Sequence, residues 1–214
     1  MSFDNEGLDP NVIGEFWKLR SLKRESRWTS PSMLNFEIET LNEVIVNFKT
    51  LEILDLGSGH GALSKSLVET KGTLLAVDNQ IAYQESFKGS ARASFQLSDI
   101  RNFKSSTSFD LILLFGVVTY LDIASEELAL IAISSMLKPE GIAVIKHQCA
   151  DIEGFIFNGF SRELDAQYSS RYPSRNEQRE RLLRYFSNVQ EIEYPLHLKS
   201  HSNSTHIMFM CKKG

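Results

Sequence analysis

Cysteine is scarce in this chain. There are two in 214 residues, and Cys149 and Cys211 lie too far apart to form a C-x-x-C pair. That spacing argues against a disulfide framework or a bound metal, and the expected setting is a reducing cytoplasm. Long apolar runs are missing too. The longest, from Leu111 to Val118, falls far short of the roughly 20 residues a membrane helix needs. The opening MSFDNEGLDPN carries neither the basic start nor the apolar stretch of a secretion signal. Basic residues are in the minority, 23 against 27 acidic ones, for a net charge of −4. No overall attraction therefore draws the chain to nucleic acid, although a local patch is not excluded by charge alone. Internal repeats, low-complexity tracts and long charge blocks are absent as well. What remains is a cytoplasmic domain without a membrane span.

At 42% hydrophobic and 23% charged residues, the chain has ample material for one core. Apolar runs rich in Ile, Leu, Val and Phe alternate with helix-like segments. Strands are expected near 51–56, 73–78, 94–98, 109–115, 141–147, 189–194 and 206–212, and helices near 61–70, 80–88, 122–137 and 174–187. LLAVD, FDLILLF and GIAVIK are apolar at consecutive positions, as strands covered on both faces are. The alternation implies an α/β, doubly wound, mostly parallel sheet with helices on both faces. LKPEG at 137–141 supplies a helix stop and a turn before the fifth strand. Residues 1–50 read as an N-terminal helical cap of two amphipathic helices, which either pack on the edge of the sheet or form a lid. Residues 51–214 form the main domain. Within it, 148–188 is a long excursion rich in Tyr, Arg, Phe and Ser, of a length that in compact domains accompanies function.

The stretch LEILDLGSGHGALSKSL at 51–67 satisfies two cofactor patterns. Gly57, Gly59 and Gly61 spell G-x-G-x-G, whereas Gly57, Gly59 and Ala62 spell G-x-G-x-x-A. Both patterns let the backbone turn tightly and approach a ligand. Both also want an acid at the tip of the second strand, here Asp78, to receive ribose hydroxyls. Asp55 separates them. An anion two residues before the turn has no use beside a dinucleotide's phosphates, which the loop and helix N-terminus attract by positive potential. S-adenosylmethionine instead carries a sulfonium and an ammonium, which a carboxylate favours.

ILDLGSGHG, AVD, LSDI, FDLILLFGVVTYL and LKPEGIAVIK follow one another in the order found in class I S-adenosylmethionine-dependent methyltransferases, which residues 51–147 resemble, with a fainter echo in HIMFMCKK. The resemblance implies a Rossmann-like seven-stranded sheet in the order 3-2-1-4-5-7-6, the last strand antiparallel. It also implies S-adenosyl-L-methionine as cofactor, with Gly57, Ser58, Gly59 and Gly61 along its methionine and ribose. Asp78 would hold the ribose hydroxyls with Asn79 beside it. Asp99 would accept the adenine amino group while Ile100 contacts the ring, and Phe115 and Gly116 would face the transferring methyl. Arg27 and Trp28 are further candidates, the first for the cofactor's carboxylate and the second for closing the pocket.

A hydroxyl acceptor needs a base as well as alignment. His147, ending the fifth strand at the ligand-binding edge, is the candidate, with His201, His206 and Asp151 behind it. FGVVTY after strand four is not the N-P-P-Y segment of enzymes that methylate nucleic acid bases. Tyr168, Arg171, Tyr172, Arg175 and Arg179 offer aromatic faces for a sugar ring and guanidiniums for an anion. A loose similarity to methyltransferases of bacterial sugar and polysaccharide clusters covers about forty residues from 147. The reading is O-methylation of a sugar, glycan or other small polar acceptor. Methylation of RNA or protein, and a non-catalytic cofactor-binding scaffold, stand as alternatives.

Overall fold

Each main helix starts at a side chain that satisfies its first free N–H groups. A computed structural model describes residues 7–23, 30–46, 48, 50–68, 72–199 and 202–213. In it, Asp9 Oδ1 accepts from Asn11 N and Val12 N ahead of α1 (Pro10–Lys23), and Ser30 Oγ accepts from Met33 N ahead of α2 (Pro31–Ile45). Both helices carry proline at the first position, where its missing N–H costs nothing. Asp122 caps α4 (Ile123–Met136), and Ser174 with Glu177 forms a capping box on α5 (Arg175–Leu182).

The strands are β1 (Glu52–Leu56), β2 (Thr73–Asp78), β3 (Ala93–Leu97), β4 (Phe109–Phe115), β5 (Leu137–Ala150), β8 (Asn188–Glu193) and β9 (Ser204–Lys212). They form one sheet in the order β3-β2-β1-β4-β5-β9-β8, with β9 antiparallel to both neighbours and β1–β5 parallel. This is the expected topology. One face is covered by α4 and α5 over Ile112, Leu114, Ala143 and Ile145. The other is covered by α2 and α3 (Ala62–Val68) over Ile53, Leu111, Leu113 and Val144.

Three features depart from the sequence expectation. The helix expected at 80–88 is a 3-10 helix over Ile81–Phe87. The LKPEG turn is absorbed into β5 as a bulge, because β5 starts directly after α4 and its register shifts between Phe109 and Leu111. The 148–188 excursion contains a hairpin of β6 (Phe155–Ser161) and β7 (Ala166–Tyr172), paired only with each other. Among the described residues, no helix is long and apolar enough to cross a membrane.

The hairpin is tied to the sheet by a buried polar cluster around Glu126 on α4. Arg171 Nη2 on β7 and Gln178 Nε2 on α5 both donate to the Glu126 carboxylate, while Arg171 Nε donates to Leu121 O at 3.0 Å and Thr119 Oγ1 donates to Arg171 O at 2.8 Å. Removing one partner from such a cluster leaves a buried charge uncompensated. Glu126→Ala is expected to cost about 3–5 kcal/mol. Arg175→Ala, where a largely solvent-accessible guanidinium meets Glu191 and Glu193, is expected to cost less than about 1 kcal/mol. Urea denaturation of the two variants checks both.

Candidate active site

β1 and β4 are neighbours in the sheet, but the chain leaves their carboxyl ends in opposite directions, toward α3 and toward α4. A crevice must open where they diverge. A cavity of about 430 Å³ occupies that position, within the size range of small-molecule sites. Its floor is the turn after β1, its sides are the tips of β2, β3 and β4, and its outer wall is α1.

The turn is stitched to the tip of β2. Gly57 N and Ser58 N donate to Val77 O at 2.8 and 3.0 Å, and Gly59 N donates to Asp78 Oδ2 at 2.9 Å. Gly57 has φ +74°, and a Cβ there would stand 2.3 Å from Val117 Cγ2, so both the conformation and the space demand glycine. Ser58 Oγ is buried yet meets no hydrogen-bond partner among the described residues. A ligand in the cavity is its natural partner.

Two carboxylates flank the turn. Burial raises the Asp55 carboxyl to about 7; the neighbouring Ser64 side chain offsets part of this and the nearby Asp78 charge adds to it. Burial also raises Asp78, against the pull of the Gly59, Gln80 and Asn79 N–H groups. Half-buried Asp99 is lowered, chiefly by the Arg101 side chain, which binds both of its oxygens. The site therefore concentrates negative charge that a cationic ligand would relieve.

Of the candidate residues, Asp55, Gly57, Ser58, Gly59, Asp78, Asn79, Asp99, Ile100, Phe115 and Gly116 all line this one cavity. Gly61 does not. It forms the positive-φ entry to α3 against the Phe87 ring. Arg27, Trp28 and His201 lie outside the described residues. His147 requires a correction. Side chains alternate along β5, so Lys146 points to the cavity while His147 points to the opposite face, 5.8 Å from the Phe209 ring and against Cys149. Burial, with the positive charges of Arg171 and Lys146, pushes its imidazole down to about 3. It does not line the cavity, and its environment favours the neutral ring. His206 is buried beside Tyr194, and Asp151 binds Lys199 and Thr205 away from the cavity.

The excursion's side chains are also committed elsewhere. Tyr168 OH bonds Tyr120 OH at 2.8 Å, Tyr172 stacks on Phe155, Arg171 serves Glu126, and Arg175 and Arg179 serve Glu191. None of the five lines the cavity. The hairpin instead braces α1. Phe16 packs on Tyr168 and Trp17 on Tyr120, and Asp9 N donates to Ser169 Oγ.

Sequence reasoning missed Trp17, Tyr83, Tyr120, Glu37 and Lys146, all of which line the cavity. Glu37 and Lys146 form a buried ion pair at 3.0 Å, and Tyr194 OH donates to the same Glu37 Oε1 at 2.7 Å. A signal for both was present. Met33, Glu37, Leu41 and Ile45 recur every fourth residue on the buried stripe of α2, and Lys146 interrupts the apolar GIAVIK strand. A charge at a core position is costly unless it has a use.

Residues 53–141 match the family profile described as methyltransferase domain. No curated protein matches the chain in sequence. Among solved structures, it is similar to Burkholderia thailandensis 1,6-didemethyltoxoflavin-N1-methyltransferase, with bound 1,6-didemethyltoxoflavin and S-adenosylhomocysteine. There the identity is 17%, the coverage 99% of this chain and 93% of that one, and the TM-score 0.76. Coclaurine N-methyltransferase bound to N-methylheliamine and S-adenosylhomocysteine follows at 14% identity, with coverage of 100% and 84% and a TM-score of 0.68. A glycopeptide N-methyltransferase complexed with sinefungin matches at 12% identity, with coverage of 83% and 93% and a TM-score of 0.66. The profile is seated on β1 through the start of β5, so residues 53–141 are similar to a methyltransferase domain, and the fold is the one these S-adenosylmethionine-dependent methyltransferases share.

Proposed function

We propose that the chain binds S-adenosylmethionine at the Gly57–Gly59 turn and methylates a small-molecule acceptor held between α1 and the 116–121 segment. The observation that carries this reading is the pairing of a strictly glycine turn with two buried carboxylates, Asp55 and Asp78, that form no ion pair among the described residues. A diphosphate ligand would meet those charges unfavourably, whereas a sulfonium and an ammonium would relieve them. Asp78 with Asn79 is suited to the ribose hydroxyls, Asp99 and Ile100 to the adenine, Ser58 and Asp55 to the methionine end, and Phe115 and Gly116 to the methyl. The relatives named above support this, since their solved forms hold S-adenosylhomocysteine or sinefungin.

The bound cofactor supplies an activated methyl group. The chain's own contribution is to align the acceptor and keep water out. Residues 1–50 are read as the cap, with Leu8, Ile13 and Trp17 of its first part on the cavity, and 148–188 as its acceptor-side brace. O-methylation of a sugar or glycan remains a reading of the acceptor. The Trp17 and Tyr120 rings support a flat or ring-shaped partner. Its other support was the arginines of the excursion, and these are occupied by Glu126 and Glu191. The names of the three relatives favour nitrogen as the alternative atom.

Calorimetry is expected to show S-adenosylmethionine binding and no NAD binding; the reverse pattern would refute the reading. Asp78→Ala removes charge-assisted hydrogen bonds of about 1.5–3 kcal/mol, so affinity is expected to fall about 10- to 100-fold. An unchanged Kd removes Asp78 from the ribose. Asp55 yields a pH signature. Its folded-state pKa of about 7 exceeds the ordinary 3.8, so the empty protein loses stability as pH rises from 3.8 through 7. A bound cation reverses the preference. Affinity for S-adenosylmethionine is therefore expected to weaken by up to about tenfold per pH unit below 7. In Asp55→Asn the profile flattens, binding weakens and the unliganded melting temperature at pH 8 rises. A pH-independent wild-type Kd between 5.5 and 8 would exclude Asp55 from contact with the cofactor's cation.

A further inference from the structure

The cavity as a whole has a charge pattern that bears on its substrate. Among the described residues, seven charged groups line the cavity: Glu37, Asp55, Asp78, Asp99 and Asp122 against Arg101 and Lys146. Both cations are already paired, Arg101 with Asp99 and Lys146 with Glu37. The described walls thus offer no uncommitted cation to a phosphate or a carboxylate. An anionic acceptor would bring its charge into a region already dominated by carboxylates, with burial strengthening the repulsion.

Glu37 stands apart from the other acids. Asp55, Asp78 and Asp99 flank the turn and the tips of β1–β3, whereas Glu37 comes from α2 and meets Lys146, which is paired in register with Phe115 at the end of β4. Both of its contacts, from Lys146 Nζ and Tyr194 OH, fall on Oε1. The Lys146 ammonium lies 5.5 Å from the Tyr194 ring centroid and 6.0 Å from that of Phe115. The carboxylate is thereby pinned in one orientation, and among the described residues no hydrogen bond falls on its second oxygen, which can receive a donor from the ligand. A buried ion pair of this kind contributes little net stability, and its retention in the lining of a ligand cavity is better explained by what it presents to the ligand.

We infer that Glu37, oriented by Lys146 and Tyr194, is the acceptor-positioning residue. The acceptor is accordingly a small compound without negative charge, and of the N–H and O–H nucleophiles that a carboxylate can receive, the reading above favours an N–H nitrogen, an amine or a neutral nitrogen heterocycle. This rests on the methyltransferase reading above. The Glu37 carboxylate accepts the N–H, which turns the nitrogen lone pair away from the acid and toward the incoming methyl. The N–C bond forms as the S–C bond breaks, the electron pair of that bond goes to sulfur, and the nitrogen's proton leaves through Glu37 to solvent. The ring of such an acceptor finds Trp17 and Tyr120 alongside.

The test uses the full chain and labelled S-adenosylmethionine against matched panels. One contains benzylamine, tetrahydroisoquinoline and benzimidazole; a second contains benzyl alcohol and glucose; a third contains benzoate, benzyl phosphate and glucose 6-phosphate. Methylated product is expected from the first panel. Absence of product from every nitrogen compound, or product from the second or third panel alone, overturns the inference. If calorimetry shows that S-adenosylhomocysteine does not bind at all, the underlying reading fails instead, so the two failures are distinguishable. For a nitrogen compound that is methylated, Glu37→Gln is expected to raise its KM at least tenfold while the Kd for S-adenosylhomocysteine changes less than threefold. The double variant Glu37→Gln with Lys146→Met removes the whole pair and controls for an unpaired lysine. In the double variant, S-adenosylhomocysteine is expected to bind normally while the acceptor KM stays elevated. An unchanged KM in both variants removes Glu37 from the acceptor.

Discussion

The site depends on one piece of backbone, the turn that carries the chain from β1 into α3 while hydrogen-bonded to the tip of β2. Gly57 N and Ser58 N reach Val77 O, and Gly59 N reaches Asp78. Those bonds require the chain to bend back at Gly57 in a conformation that a side chain could enter only by displacing Val117. The turn thus does two things at once. It bares amide and hydroxyl groups toward the cavity, and it fixes the distance between two carboxylates whose charge the fold otherwise disfavours. Asp55, raised to about 7 in the empty protein, shows the tension directly. A site that holds negative charge out of water without a partner is less stable when empty and better prepared for a cation.

Around that turn the molecule is arranged in two polar layers on opposite faces of the sheet. On one face, Glu126 gathers Arg171 and Gln178, and so joins α4, β7 and α5 into one unit. On the other, Glu37 gathers Lys146 and Tyr194 beneath the cavity. The two clusters use the same chemistry for different ends. The residues of the first do not line the cavity, and they brace the hairpin that supports α1. The second opens into the cavity, so its polarity is available to a ligand. Strand β5 links them, because the alternation of its side chains sends Lys146 to one cluster and His147 toward Arg171 of the other.

The same alternation explains the largest error of a linear reading. A histidine at the end of a strand on the ligand-binding edge has the right residue type and the right height in the fold, but height does not specify face. In a strand buried on both sides, the apolar pattern that identifies it carries no phase, since there is no polar side to mark one. The arginines of the 148–188 excursion failed for a related reason. Their number suggested an anion site, but Arg171, Arg175 and Arg179 pair with Glu126 and Glu191 on other elements, and such pairing is invisible until the chain is folded.

By itself, the sequence determined the sheet and the turn. Runs such as LLAVD and FDLILLF need two covering layers, and GSGHG after a strand leaves the backbone little choice. The acids at 55, 78 and 99 follow from their places at or near strand ends, positions set by local order. These are short-range constraints, and a linear chain records them. The tertiary structure decided which face each β5 side chain takes, that the excursion folds into a hairpin bracing α1, and that Glu37 on α2 meets Lys146 on β5 more than one hundred residues later. Those outcomes depend on packing between distant segments, where burial and charge pairing are settled together and no local pattern holds the answer.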